Sequence, residues 1–247
     1  MNKKRIREKF IEITGYWTYK KAVLPVGADV IVDLKGKIGA KPDTIFDVGA
    51  NIGQTALTFN KHFPKATIHS FEPIASTYKQ LENNVKAYSN IKCHKLALSD
   101  KSEELKIRIF EGKNSVLNSL NTISMNITDN SKEEIITTNT LDNFLEEQKL
   151  TTIDLLKIDT EGYEMPVLKG ASHALQNNKI KMIYLEVGFS KRNDMNTYLP
   201  EVLEFLTDLQ FVMFGLYELH HFNIETEHHF GNALFLHKSV VKNNNYY

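Results

Sequence analysis

From about residue 44 onward, short apolar runs alternate with longer amphipathic stretches, and this alternation restricts the fold more than any other feature of the chain. Thr44-Ile45-Phe46-Asp47-Val48 reads as a strand and Gly49 to Gly53 as a turn. Ala56, Leu57, Phe59 and Phe63 then mark a helix that ends before Pro64. Thr67 to Glu72 is the next strand, closed by Pro73. Ile74, Tyr78, Leu81, Val85 and Tyr88 line one face of a long helix, and Ile91 to Leu98 forms a third strand. After an irregular middle the rhythm resumes. Ile153 to Ile158 is a strand, Asp159-Thr160-Glu161-Gly162 an acidic turn, and a helix with breaks at Pro166 and Gly170 follows. Ile180 to Val187 is a strand and Thr197 to Leu209 a helix. Such alternation predicts an α/β fold, with a mostly parallel sheet and helices on both faces. Phe211 to Tyr217 and Ala233 to Leu236 follow without an intervening helix, which predicts a C-terminal hairpin that adds an antiparallel strand.

The organisation predicted from this pattern is an N-terminal helical arm over 1–40, one domain over 41–240 and a frayed tail over 241–247. In the arm, Ile6, Phe10, Ile13 and Trp17 recur at helical spacing among Lys and Arg. This predicts a helix docked on the core, the alternative being a helix lying on a membrane surface. Leu105, Ile107 and Ile109 alternate with Lys106 and Arg108 as in a half-exposed strand, and Ile135 to Thr137 resumes a strand before a short helix over Leu141 to Glu147. Between them, residues 111–134 are rich in Asn, Ser and Thr. Loops of this length are usually functional or disordered, so Ser115, Asn118 and Ser119 are expected to contact substrate. Thirty Lys and Arg balance thirty Asp and Glu, so the bulk basic field of a dedicated nucleic-acid binder is missing. The single cysteine, Cys93, excludes an intramolecular disulfide and a CxxC motif. No apolar run approaches ~18 residues and the N-terminus has no apolar signal core, so a cytoplasmic protein is expected.

Four segments carry chemistry. Asp47-Val48-Gly49-Ala50-Asn51-Ile52-Gly53-Gln54 joins the first strand to the first helix. Its glycines permit a tight turn and close approach of a ligand. A dinucleotide fingerprint would need glycine where Asn51 stands, and no P-loop occurs. Asp47 suits a ligand bearing ammonium or sulfonium charge. An ordinary βα turn is the alternative. Glu72, about twenty residues on, ends the second strand and can accept hydrogen bonds from ribose hydroxyls, or it caps the next helix. Ser99 and Asp100 end the third strand and can bond an adenine amino group or form a turn. In Leu155 to Gly162, strand alternation puts Lys157 and Asp159 on one side, with Glu161 just beyond at the carboxyl edge of the sheet. These carboxylates can take a hydroxyl proton, orient a substrate or hold a divalent ion. A Lys157–Asp159 ion pair that fixes the loop is the alternative. Glu186 ends the next strand. His220-His221 and His228-His229 flank a polar connection, where a metal site is a minor reading beside a loop near the sheet edge.

FDVGANIG, SFEP, LALSD, TLDNFL and LLKIDTEGYEMPVLKGA resemble the FkbM-type methyltransferases in content and order, over roughly residues 44–210. The resemblance implies a class I Rossmann-like fold and S-adenosylmethionine as cofactor, with O-methylation of a saccharide or small metabolite. It further implies that Asp47, Gly49, Ala50, Asn51 and Gly53 face the methionine end, Glu72 the ribose, and Ser99 and Asp100 the adenine. Asp159 and Glu161 would border the transfer site. Apart from the resemblance, Ser119 in the polar stretch and Glu186 at its strand end are expected to contact the acceptor, and Asp159, then Glu161, then Glu186 are the candidates to take its proton. No metal is predicted, although Asp159, Glu161 and Glu186 suit a hard cation. The rivals are a non-catalytic adenosyl-binding module and a dinucleotide oxidoreductase, the second disfavoured by Asn51.

Overall fold

The computed structural model describes residues 3–15, 24–110, 131–193, 195–221 and 229–242. In chain order the elements begin with α1 (Lys3–Thr14), α2 (Val30–Val32, continued by a π-helical turn Asp33–Lys37), β1 (Thr44–Val48), α3 (Gln54–His62), β2 (Thr67–Phe71), α4 (Ala75–Val85), β3 (Ile91–His94) and β4 (Ala97–Leu98). They continue with β5 (Glu104–Phe110), β6 (Ser131–Asn139), α5 (Leu141–Glu147), β7 (Leu155–Ile158), α6 (Glu164–Lys169), α7 (Ser172–Gln176), β8 (Met182–Gly188), α8 (Leu199–Asp208), β9 (Phe211–His221), β10 (His229–His237) and α9 (Lys238–Lys242).

The main sheet has seven strands in the order β3-β2-β1-β7-β8-β10-β9. Its first five are parallel, and β10 pairs antiparallel with both β8 and β9. This is the expected α/β sheet with its C-terminal hairpin. Every residue of β7 and β8 is buried, as central strands covered on both faces must be. One face packs Ile45, Ile68, Leu155 and Tyr184 against Leu34, Ala56, Phe59 and Leu81. The other packs Phe46, Leu156, Ile183 and Leu185 against Phe144, Val167, Leu175 and Leu206. Neighbouring residues Ile45 and Phe46 serve opposite faces, as the period of two requires.

The structure departs from the expected elements in four places. The third strand is not continuous: β3 ends at His94, and Ala97–Leu98 switch to a three-stranded sheet in the order β4-β6-β5. Leu96 N–H turns back to His94 O at 2.9 Å, which breaks the ladder between them. Strand β6 begins at Ser131, so the last residues of the expected insertion belong to a sheet; 111–130, with Ser115, Asn118 and Ser119, lie outside the described residues. Pro166 does not interrupt its helix, because it sits in the first turn of α6, where its missing N–H has no intrahelical partner to lose. Finally, Ile6, Phe10 and Ile13 of α1 are 48%, 46% and 77% exposed, so that face is not buried against the core. By contrast Leu34 and Ile38, also within 1–40, are 0% and 3% exposed and join the core. Trp17, the connection 222–228 and the tail 243–247 lie outside the described residues. Among the described residues no helix is long and apolar enough to cross a membrane.

Candidate active site at the carboxyl edge of the sheet

The loop after β1 is stitched to its neighbour by backbone. Gly49 and Ala50 N–H both donate to Phe71 O, at 3.1 and 2.9 Å. Gly49 has φ +73°, and a Cβ there would lie 1.8 Å from Asp159 O. This glycine is required because the loops after β1 and β7 touch. Gly53 has φ +95°, and its Cβ would meet Leu81 Cδ1 at 2.9 Å, so it lets α3 approach α4. Asn51, φ 48°, donates its N–H to Glu72 Oε2 at 3.1 Å, while Ile74 N–H donates to Glu72 Oε1 at 3.0 Å. Glu72 thus joins the ends of β1 and β2. Burial pushes its carboxyl up to about 7, against the pull of those two N–H groups.

Asp47 is 0% exposed. Its nearest cation is Lys157, whose Nζ lies 3.4 Å from Asp47 Oδ1 and 3.2 Å from Asp159 Oδ2 and donates to Gly49 O at 3.3 Å. The predicted alternation of Lys157 and Asp159 therefore holds, and so does their ion pair. Burial alone would depress the Lys157 ammonium; Asp159 and Asp47 outweigh it and hold the pKa above its ordinary value. Ser99 is buried and lies at the end of β4, in the second sheet. Its Oγ is 3.2 Å from Asp100 Oδ1 and 3.3 Å from Tyr163 OH. Gly170 permits this contact between layers, since a Cβ there would sit 1.9 Å from Ser99 O.

Asp159, Glu161 and Glu186 converge, each offering an oxygen within 4.8 Å of the others. Among the described residues this is the group whose chemistry suits a hard cation. Burial, then the charge of Asp159, raises Glu161 to about 7 and Glu186 to about 9. Asn196 Nδ2 donates to Glu186 Oε2, and Asn193 Nδ2 holds Asn196 Oδ1 at 2.8 Å. The organiser of this corner is Glu164. It is fully buried, and its Oε1 accepts from Thr160 N–H (2.9 Å), Thr160 Oγ1 (3.0 Å) and Gly162 N–H (3.2 Å). Its Oε2 accepts from Thr197 Oγ1 at 2.6 Å. Sequence reasoning passed over Glu164, Asn193, Asn196 and Thr197. An acid opening the apolar helix Glu164-Met165-Pro166-Val167 was the one local signal, because carboxylates favour helix N-termini.

Backbone strain marks the same corner. Among the described residues, six non-glycine residues have positive φ. Lys149, Asn178 and Gln210 follow α5, α7 and α8, where a left-handed residue ends a helix. The other three, Asn51, Glu161 and Glu218, end no helix, and residues held this way cluster at functional sites.

The chain is similar to known methyltransferases. The methyltransferase FkbM domain matches residues 47–213, from the end of β1 into β9. Over 160 residues the chain is 28% identical to Methyltransferase 1 of Beauveria bassiana, covering 58% of this chain and 64% of that one. It is 27% identical over 170 residues to the hexuronic acid methyltransferase AglP of Haloferax volcanii, covering 68% and 66%. It is 25% identical over 183 residues to the 2-O-methyltransferase NoeI of Sinorhizobium fredii, covering 70% and 74%. The chain thus spans just under two thirds of the first two relatives. With the matched stretch running through every strand end described above, the chain belongs to the FkbM methyltransferase family.

Proposed function

We propose that this chain transfers a methyl group from S-adenosylmethionine to a hydroxyl of a saccharide or similar small polyol. The observation that carries the reading is the hydrogen bond from Asn51 N–H to Glu72, which closes the glycine loop onto the carboxylate at the next strand end, beside the Lys157–Asp159 pair. A carboxylate offers about four acceptor positions. Two on Glu72 are taken by backbone N–H groups, so two remain for ribose hydroxyls. Ser99 and Asp100 are assigned to the adenine side. Asn51 in place of a third glycine, and an acid rather than a phosphate cradle, suit a sulfonium ligand better than a pyrophosphate.

When bound, the cofactor supplies an activated methyl on a cationic sulfur. The residues of this chain supply alignment, which is the main source of acceleration for such an in-line transfer. Asp159, fixed by Lys157, is positioned to orient the acceptor hydroxyl. Glu161, raised to about 7, is suited to exchange a proton with it near neutral pH. Glu186, raised to about 9, holds its proton at neutral pH and can donate a hydrogen bond. A metal-free reaction is favoured because Lys157 and Asn196 already donate to Asp159 and Glu186. The test is calorimetric titration with S-adenosylhomocysteine and NAD, followed by labelled methyl transfer to a panel of sugars with and without a chelator. Binding of the adenosyl ligand and chelator-resistant transfer are expected. NAD binding without adenosyl binding would overturn the proposal.

A further inference from the structure

A cavity of about 450 Å³ opens beside Asp159, on the face of the sheet that carries α3. Its floor is Lys157 and Asp159, and its walls include Gln54 and Thr58 of α3, Tyr184 of β8, Glu218 of β9 and Asn232 of β10. None of these wall residues stands out in the sequence. The cavity shares Asp159 with the loop that abuts Gly49, so it adjoins the proposed transfer centre.

Glu218 enters this wall through an irregularity in β9. The register slips between Phe230 and Asn232, with Phe230 opposite His220 and Asn232 opposite Tyr217. Two residues, Glu218 and Leu219, therefore face Gly231 alone, which is a β-bulge, and bulges re-aim side chains. The bulge closes around Gly231, where a Cβ would lie 3.0 Å from Tyr217 O and 2.8 Å from Leu219 Cδ2. The re-aimed carboxylate is held by one oxygen only: Tyr184 OH and Asn232 Nδ2 both donate to Oε2, at 3.1 and 2.9 Å. Glu218 lines the cavity, and its other oxygen, Oε1, can accept a further donor.

The lining also has a sign. Lys157 is already neutralised by Asp47 and Asp159. Glu218 and Asp29 then add negative charge to a lining whose other polar members are amide, hydroxyl, phenol and imidazole groups, beside the apolar Val30, Ile31 and Phe59. Neutral hydroxyls gain hydrogen bonds from such a wall. An anionic acceptor meets like charge, and repulsion of that kind is how sites reject close analogues.

We infer that this cavity is the acceptor subsite, in which Glu218, held by Tyr184 and Asn232, binds acceptor hydroxyls and selects an uncharged or amino-bearing saccharide over a uronate. The inference rests on the methyl-transfer reading. It separates this chain from the relative named for hexuronic acid.

The experiment is titration of the full chain, saturated with S-adenosylhomocysteine, with methyl β-D-glucopyranoside, its 2-amino-2-deoxy analogue and the corresponding methyl glucuronide. The first two should bind, and the glucuronide should bind at least about tenfold more weakly. Glu218→Gln keeps the shape and removes the charge. It should weaken the first two by about tenfold and narrow the gap to the glucuronide, with adenosyl affinity and thermal stability unchanged. Glucuronide binding equal to or tighter than the neutral sugar, or no change in any sugar on Glu218→Gln, would overturn the inference. So would adenosyl binding with no binding of any of the three sugars. Failure of S-adenosylhomocysteine itself to bind would overturn the methyl-transfer reading and the subsite with it, a result distinct from loss of sugar binding alone.

Discussion

The ends of β1 and β2 and the ends of β7 and β8 both gather acidic residues, but they satisfy them differently. Glu72 is held by two backbone N–H groups, from Asn51 and Ile74. Asp159, Glu161 and Glu186 lean on one another, with Lys157 and Asn196 as the side-chain donors. Backbone donors are set by chain direction and tolerate change of neighbouring side chains. A cluster of like charges depends on its members, and the charge of Asp159 raises the proton affinity of Glu161 and Glu186. The first arrangement suits a fixed ligand such as a cofactor. The second suits a site where a proton moves.

The largest test of this contrast is Asp159→Asn. It should lower methyl-transfer turnover by roughly 10²–10⁴-fold and leave adenosyl affinity nearly unchanged, as measured by single-turnover kinetics beside calorimetry. If turnover per folded molecule stays intact while thermal stability drops, Asp159 serves only its ion pair with Lys157. In the same assay Glu161→Gln should remove an inflection near pH 7 in the rate profile.

Glu164→Ala comes next and probes what holds the acidic corner. It removes the carboxylate that accepts from the N–H groups of Thr160 and Gly162 and from the hydroxyl of Thr197. Urea denaturation should show a loss of about 2–4 kcal/mol, the scale of losing several hydrogen bonds to a buried carboxylate. A loss below about 0.5 kcal/mol, the level of an ordinary surface change, would mean that the corner is organised elsewhere.

Glu72→Ala bears on the backbone-held side. Adenosyl affinity should weaken by about 1–3 kcal/mol in calorimetry, the scale of a charge-assisted hydrogen bond, with little effect on sugar binding. Equal loss at both ligands would erase the distinction between the two regions.

The smallest effect is on stability against pH. Glu72, Glu161 and Glu186 have folded pKa values of about 7, 7 and 9, above the ordinary 4.5. Between 4.5 and those values the folded chain keeps protons that the unfolded chain has lost. Stability therefore falls as pH rises through this window and levels off above it. Thermal melts of the ligand-free chain should decline from pH 5 to 9. Glu186→Gln should flatten the part between pH 7 and 9, where Glu186 alone of the three still titrates.

Much of the edge formed by β1 and β2 was readable because it is local. The strand–turn–helix from Thr44 to His62, and Glu72 one strand later, follow from periods of two and 3.6 and from glycine at the turn. The pairing of Lys157 with Asp159 needed only strand alternation. The break between His94 and Ala97 was not readable, since every residue there suits a strand and only the competing partner β6 draws Ala97 and Leu98 away.

The sequence by itself determined the α/β alternation, the parallel sheet with its C-terminal hairpin and the family to which the chain belongs. Those properties live in short-range periodicity and in residues a few positions apart. Tertiary structure alone decided that Glu164 would anchor Thr197, 33 residues on, and that Asp33 would take the hydroxyl of Tyr217, 184 residues on. It alone decided that a one-residue slip in β9 would turn Glu218 toward Tyr184 and Asn232. The physical reason is that a hydrogen bond across a buried wall is set by packing between elements, and no local pattern of apolar and polar residues encodes which distant donor an acid will find.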